Sequence, residues 1–296
     1  MSLLAEYRKS LKQVEVEELV DLYFFRPLGF ALVKAIYRTN ITPNQLTMVS
    51  LALGILGGVC YGFGHRMAVM LGATLYAVSL VLDCSDGQLA RLKKNGTRLG
   101  RVLDGFIDYF VGIAVYLGIG IGLAPETGNS LMWWFLIAAA GLSNFFHSVS
   151  VDYYRTRFID FVQGEGASHF EDEDYRSFKE ELGVLKAQKG KVLRKWAIGA
   201  YLRYLNIQKK MTLHRHNSGI EKKMNEEDFY RRNKIALRFW TFLGSSTQIA
   251  FLIVTSVLDR MDIYFWGMIV VMNIWAAVMF VVQNRIDHKV EQEAAI

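Results

Sequence analysis

The chain has 296 residues, 52% hydrophobic and 21% charged, with a mean hydropathy of only +0.19. That average excludes a chain embedded in a membrane throughout, and two cysteines and three prolines exclude a disulfide scaffold, a CxxC zinc or redox site and Pro-rich linkers. The net charge of +6 points to anionic partners such as phospholipid surfaces or nucleotides.

The first predicted element is Val16–Tyr37. Leu19, Leu22, Tyr23, Phe25, Leu28, Leu32 and Ile36 recur at helical spacing with Arg26, Lys34 and Arg38 between them. The pattern fits an amphipathic helix lying in the headgroup plane, its apolar side toward hydrocarbon. Thr42-Pro43-Asn44 then breaks the chain and caps the first span. Six apolar stretches approach or reach the roughly 20 residues that cross a bilayer: Leu46–Phe63, Ala68–Leu82, Val102–Leu123, Leu131–Val151, Leu237–Leu258 and Ile263–Val282. The second is continued by the polar run Asp83-Cys84-Ser85-Asp86-Gly87. No cleavable signal peptide is expected, because the first 40 residues are charged and carry no early apolar run.

The expected fold is therefore all-α: a polytopic six-transmembrane-helix bundle with an N-terminal interfacial helix and a cytoplasmic helical insert. It divides into an interfacial segment 1–43, helices one to four over 44–151, a polar insert 152–236, and helices five and six with the tail over 237–296. Of the 34 Lys and Arg, 32 fall on one side of this topology, with only Arg66 and Arg260 opposite. This bias orients both termini and the 83–101 segment toward the cytoplasm. Within the insert, Glu171-Asp172-Glu173-Asp174 is expected to end or cap a helix, and Lys186–Lys210 to form a second surface helix. His214-x-His216 has no third ligand nearby, and the insert shows no phosphate loop or nucleic-acid motif, so nucleic acid is not an expected partner.

The chemistry concentrates between Asp83 and Asp108. Asp83 and Asp86 are three apart at the end of span two, and Asp104 and Asp108 are four apart at the start of span three. Each pair shares a helix face, and a short hairpin turning at Asn95-Gly96 makes the two helices antiparallel neighbours. Four carboxylates converging at a membrane edge require positive charge. An all-oxygen donor set indicates Mg²⁺, Mn²⁺ or Ca²⁺. Four carboxylates suit two metals about 4 Å apart that clamp a phosphoryl group. Arg91 is near enough to hold phosphate oxygens, while Gly87, Ala90 and Gly100 leave room for a bulky ligand or a second backbone. An Asp–Arg/Lys ion-pair network closing the hairpin is the alternative. A cation transporter or a non-catalytic scaffold would be rival functions, but a transporter predicts carboxylates at mid-depth on several spans.

The run Asp83-x2-Asp86-Gly87-x2-Ala90-Arg91-x8-Gly100-x3-Asp104-x3-Asp108 resembles the signature of the CDP-alcohol phosphotransferase family, matching its eight fixed residues over 26 positions. The resemblance extends to Thr42–Thr47 and the six spans but not to residues 152–236. It implies an enzyme of phospholipid biosynthesis, usually a homodimer, that passes the phosphoalcohol of a CDP-linked donor to an alcohol acceptor and releases CMP. It implies two Mg²⁺ ions (or Mn²⁺) on Asp83, Asp86, Asp104 and Asp108, with Asp108 also the general base. The nucleotide contacts it implies are Asn44, Gln45, Thr47, Gly87, Ala90, Arg91, Thr97 and Gly100. A CDP-diacylglycerol-type donor is expected; a soluble CDP-amino-alcohol donor with a diacylglycerol acceptor is the alternative. Asn144, His147, Asp152, Arg155, Arg238 and Arg285 are the candidates to line the acceptor pocket, the arginines suiting a phosphorylated acceptor; snorkelling of the arginines at the membrane border and a satisfied polar His147 inside the bundle are the alternatives.

Overall fold

The computed structural model describes residues 3–11, 14–96, 98–124, 129–163, 169–187, 190, 195, 198–199, 202–203 and 226–294, and among them all regular structure is helical. The helices are α1 (Leu3–Ser10), α2 (Arg26–Ile36), α3 (Pro43–Gly62), α4 (Arg66–Lys93), α5 (Arg98–Leu123), α6 (Ser130–Gln163), α7 (His169–Ala187), α8 (Glu226–Trp240), α9 (Ser245–Val257), α10 (Met261–Trp266) and α11 (Asn273–Ala294). A π-helical turn at Asp21–Phe25 leads into α2, a 3₁₀ turn at Thr241–Leu243 joins α8 to α9, and a π-helical turn at Gly267–Met272 joins α10 to α11.

Among the described residues, five stretches are long and apolar enough to cross a membrane: Pro43–Gly62, Arg66–Lys93, Ser130–Ile159, Phe229–Val257 and Met261–His288. The remaining expected span, Val102–Leu123, lies within α5, whose apolar described part is the shorter Ile107–Leu123. The protein is thus an all-α, polytopic membrane protein. α4 runs without a break through the polar segment to Lys93, as the shared face of Asp83 and Asp86 requires, whereas α6 continues twelve residues past Val151 to Gln163. Apolarity marks where a helix meets hydrocarbon, whereas the helical backbone persists wherever the residues after it favour helix.

The chain forms two compact units, residues 1–151 with 238–279 and residues 152–237 with 280–296. In the first, α3 starts with a capping box. Thr42 Oγ1 accepts from the Gln45 N–H at 3.3 Å, Gln45 Oε1 accepts from the Thr42 N–H at 2.9 Å, and Pro43 fills the first helical turn. α4 starts with His65 Nδ1 accepting from the Ala68 N–H, and ends on Lys94 in the left-handed region at φ 52°. α3 lies against α4 through reciprocal hydrogen bonds between the hydroxyls and carbonyls of Ser50 and Ser79, both 2.8 Å. It lies against α5 by direct backbone approach: a Cβ on Gly118 would collide with the Gly58 carbonyl oxygen, and one on Gly58 would come within 2.6 Å of the Ala114 carbonyl oxygen. Tyr61, Tyr76, Val111, Val115, Ile119, Leu252, Tyr264 and Phe265 form the core around this junction.

In the N-terminal segment the apolar residues fall on more than one side. Phe25, Phe30 and Val33 are buried within the protein, whereas Tyr23, Phe24 and Leu28 are exposed. Its charged residues Glu17, Glu18 and Asp21 are buried. The reason is that these acids have partners in the protein, two of them at the start of α9. Glu18 Oε2 accepts from the Thr247 N–H at 2.8 Å and the Thr247 hydroxyl at 3.0 Å, and Asp21 Oδ2 accepts from the Ser246 hydroxyl at 3.0 Å. Acid side chains at a helix N-terminus complement its unpaired N–H groups and its dipole. Glu17 pairs with Arg26 at 2.8 Å, and Arg238 donates to the carbonyls of Val14 and Glu17.

In the second unit the ends of three helices meet. Arg157 on α6 donates to both carboxylate oxygens of Asp287 on α11, at 3.1 and 3.0 Å, and Gln283 on α11 donates to Asn233 Oδ1 on α8 at 2.9 Å. Phe158 packs against Phe229 and Tyr230. The acidic run 171–174 falls in the first turns of α7, the favourable end of that helix for negative charge. Most of the expected helix Lys186–Lys210, and His214 and His216, lie outside the described residues.

The packing of the first unit sets two expectations. Gly118→Val forces α5 away from α3 and costs about 1–3 kcal/mol or more, read as a lower melting temperature in detergent; Gly112→Ala, where a Cβ meets nothing within 4 Å, serves as the tolerated comparison. Burial, with the negative charge of Glu18 nearby, pushes the Asp21 carboxyl up to about 7 against the opposing pull of Arg26 and Ser246. Ionising it therefore costs more in the folded protein than in the unfolded chain, where its pKa is about 3.9. Its contribution to stability falls as pH rises from about 4 to about 7 and is flat above that. Asp21→Asn removes this fall, so the melting temperature of the variant relative to the parent rises across about pH 4–8. A constant difference would contradict this account of Asp21.

Candidate active site

The cytoplasm-facing end expected for the site is built from the C-terminal third of α4, the first turns of α3 and the start of α5. Because α4 stays helical through Lys93, Asp83 and Asp86 are held on one face one turn apart. Asp86 is buried, 4% exposed, and its Oδ2 is hydrogen-bonded to the Thr47 hydroxyl on α3. Asp83 is half-buried. On α5, Asp108 is exposed. Asp104 and Gly100 are on the same helix, but their surroundings, like Thr97, lie outside the described residues.

The register of α3 against α4 is fixed at several points around Asp86. Lys93 donates to the carbonyls of Thr39 and Ile41 at 2.9 and 3.0 Å, tying the end of α4 to the loop before α3. Leu46 packs with Leu89 and Val33 in a small buried cluster. The Ser50–Ser79 pair lies further along the same two helices. Gly96 folds back over Ala90, where a Cβ on the glycine would lie 3.5 Å from the alanine methyl.

The expected nucleotide contacts divide into two groups. Asn44 is exposed, and Gly87 and Ala90 are half-buried small residues on α4. Gln45, Thr47 and Arg91 are already engaged by protein. Gln45 closes the capping box, Thr47 holds Asp86, and Arg91 Nε donates to the Ser10 carbonyl at 2.5 Å. The Arg91 guanidinium curls back along α4, so that a Cβ on Gly87 would stand 3.3 Å from its Nη1, and Nη2 is buried with no hydrogen-bond partner among the described residues. Gln88, one position from the motif face, donates to the Ser10 hydroxyl at 3.2 Å and the Arg26 carbonyl at 3.1 Å. Ser85 donates to the Val81 carbonyl at 2.6 Å, with the Gly29 carbonyl 3.3 Å from the same hydroxyl. Sequence reasoning missed Ser10, Ser85 and Gln88. The signal available for the last two was that polar residues interrupt an otherwise apolar helix on a second face.

The acceptor candidates are also distributed. His147 is fully buried in a polar network joining α6, α9 and α11. Its Nδ1 lies 3.3 Å from Gln248 Nε2 and its Nε2 lies 3.1 Å from Asn273 Oδ1. The amide nitrogen can only donate, so Nδ1 accepts and Nε2 carries the proton to Asn273. Asn144 donates to Gln248 Oε1 at 2.6 Å, and Asn273 donates to Ser143 at 2.8 Å and to carbonyls of the preceding π-helical turn. Asn144 and His147 thus tie three membrane helices together. Arg238 spends both its terminal nitrogens on backbone carbonyls, whereas Arg285 is exposed on α11. Asp152 and Arg155 are half-buried on α6.

Among the described residues no three His, Cys, Asp or Glu side chains gather closely enough to hold a metal ion. The all-oxygen character of Asp83, Asp86 and Asp108 nevertheless fits a hard divalent cation. The Thr47 hydroxyl holds the Asp86 carboxylate through Oδ2.

Residues 40–150 match the family model for CDP-alcohol phosphatidyltransferase, a stretch that contains every motif residue from Asp83 to Asp108. They are a domain of the CDP-alcohol phosphatidyltransferase family. Relatives of this domain include the bifunctional IPC transferase and DIPP synthase of Thermococcus kodakarensis, 32% identical over 40% of this chain and 26% of its own length. The archaetidylinositol phosphate synthase of Pyrococcus horikoshii is 34% identical over 30% of this chain and 46% of its own. The inner membrane protein YnbA of Escherichia coli is 31% identical over 38% of this chain and 58% of its own. The chain therefore spans less than three fifths of the length of each of these relatives. The family match ends where the first unit's continuous segment ends, near residue 150.

The three-helix network gives a direct test. Asn273→Leu strands the His147 Nε2–H and the Ser143 hydroxyl, and we expect a loss of about 1–3 kcal/mol, measured as thermal unfolding in detergent. An unchanged melting temperature would show that the network adds nothing to the packing of these helices.

Proposed function

We propose that this protein is a divalent-metal-dependent CDP-alcohol phosphotransferase of membrane phospholipid synthesis, passing a phosphoalcohol from a CDP-linked lipid donor to a polar alcohol with release of CMP. The observation that carries the reading is the paired carboxylate face on α4, with Asp86 buried and braced, inside a stretch that matches the family. Asp83, Asp86, Asp104 and Asp108 would hold two Mg²⁺ ions, or Mn²⁺. When bound, these supply the positive charge that offsets the phosphoryl oxygens and the departing CMP.

The residues divide the remaining work. Asp86, enclosed and hydrogen-bonded, suits a fixed ligand role. Asp108, exposed on α5, can meet an incoming hydroxyl, and an alcohol is a weak nucleophile that needs its proton removed as it attacks the β-phosphorus. Its carboxylate receives that proton, and the bond from the β-phosphorus to the bridging oxygen breaks toward CMP. Coordination lowers the basicity of a carboxylate, so this role asks Asp108 to act mainly through position. Exposed Asn44 and small Gly87 and Ala90 would admit the nucleotide, and Arg91 Nη2, buried with no hydrogen-bond partner among the described residues, would turn to take a phosphate oxygen.

A lipid donor is favoured over a diacylglycerol acceptor because one relative is named as a synthase of archaetidylinositol phosphate, a lipid bearing a polar phosphorylated alcohol. A cytoplasmic site, cytoplasmic termini and a homodimer belong to the same proposal, the first two supported by the Lys/Arg bias. The test is to incubate purified protein and Mg²⁺ with labelled CDP-diacylglycerol and a panel of alcohols, scoring acceptor-dependent CMP release. Absence of release with every lipid- and amino-alcohol-linked CDP donor would overturn the proposal. Asp108→Asn is expected to abolish transfer, at least about a hundredfold, while CDP-alcohol binding persists; transfer near the parent rate would remove the base role.

A further inference from the structure

Thr47 stands among the nucleotide contacts that the family resemblance implies, but its surroundings give it a different task. We infer that Thr47 is a positioning residue for the metal-binding carboxylate of Asp86, its hydroxyl on Oδ2 restricting how that carboxylate can turn. This rests on the metal-centre reading above and deepens it.

Three observations carry the inference. First, Thr47 is buried, and its hydroxyl contacts protein on both sides: the Asp86 carboxylate and, at 3.1 Å, the Pro43 carbonyl one turn back. A hydroxyl has one proton, and both neighbours are acceptors when Asp86 is ionised. The proton goes to Asp86, which is the closer partner and the charged one, and charge-assisted hydrogen bonds are the stronger. Second, the helix turn around Thr47 is rigid. The capping box at Thr42 and Gln45 fixes the start of α3, Leu46 is packed against Leu89, and Lys93 ties α4 to the loop before α3. A donor held this firmly restricts the rotation of the carboxylate it binds. Third, Gln45 is engaged in the capping box, while Asn44 in the same turn is exposed. The turn thus divides its labour: Gln45 caps, Thr47 braces Asp86, and Asn44 is left for the nucleotide.

Partners that orient a ligating side chain typically change metal affinity by about 10- to 100-fold when removed. Mn²⁺ binding to the purified protein without nucleotide, read by electron paramagnetic resonance, gives the measurement. Thr47→Val is expected to weaken Mn²⁺ binding about 10- to 100-fold, and Thr47→Ser to restore it; Thr47→Ala repeats the loss with a smaller side chain should the valine not be accommodated. CMP binding measured at saturating Mg²⁺ is expected to stay within about threefold, a far smaller change than that in metal affinity, and transfer by Thr47→Val to recover partly as Mg²⁺ is raised. Unchanged Mn²⁺ affinity in both Thr47→Val and Thr47→Ala, with weakened CMP binding, would overturn the inference and return Thr47 to the nucleotide site. Failure of the parent protein itself to bind Mn²⁺ would overturn the metal-centre reading and this inference with it, a result distinct from failure of the Thr47 variants alone.

Discussion

A carboxylate enclosed between two apolar helices sets the terms for the rest of this molecule. Moving an ionised carboxylate out of water costs several kcal/mol unless it is paired or hydrogen-bonded, and Asp86 is nearly inaccessible. Its partner, the Thr47 hydroxyl, sits on another helix, so the hydrogen bond exists only if α3 and α4 hold one register. The Ser50–Ser79 exchange, the Leu46–Leu89 contact and the Lys93 tie all serve that register. The glycine contacts of α3 with α5 hold the third helix by close backbone approach rather than by long side chains.

The N-terminal segment solves a related problem in a different way. Glu17, Glu18 and Asp21 would be unfavourable inside a membrane protein, yet they are buried because Arg26 and the first turn of α9 offer them donors. The exposed side of the same segment is aromatic, with Tyr23 and Phe24 outward. The segment therefore turns both its acids and part of its apolar side, Phe25, Phe30 and Val33, toward protein, and leaves other aromatics outward. Backbone carbonyls from Ser10 to Arg26 also occupy Arg91, Gln88 and Arg238. The second face of α4 is thus an anchor for the N-terminus while the first face carries the motif.

How far the sequence disclosed this depends on the kind of interaction. Long apolar runs located five membrane-length helices, because crossing hydrocarbon is a property of composition. The spacing of Asp83 and Asp86 disclosed a shared face because the helical repeat is fixed, and Thr42-Pro43 disclosed the start of α3 because capping is local. The protein partners of Thr47 and Arg91 were not legible. Either residue type serves a ligand or a neighbouring helix equally well, and the choice depends on what the fold brings opposite it. The same limit hid the orientation of Val16–Tyr37. Its apolar residues fall on more than one side, and periodicity cannot say that Glu18 has Thr247 waiting 229 positions later.

That separation has a bearing on how the protein is made. Glu18, Asp21 and the backbone of Val14 and Glu17 leave the ribosome early, whereas Arg238, Ser246 and Thr247 come more than 220 residues later. At about 5–20 residues per second this is roughly 10–45 s of synthesis. Throughout that interval Glu18 and Asp21 lack the helix start they cap in the folded protein, while the helices carrying the motif are already emerging. Closure of the N-terminal clamp is thus a late event in biogenesis, and a nascent chain halted before Arg238 would hold its motif helices with that clamp still open.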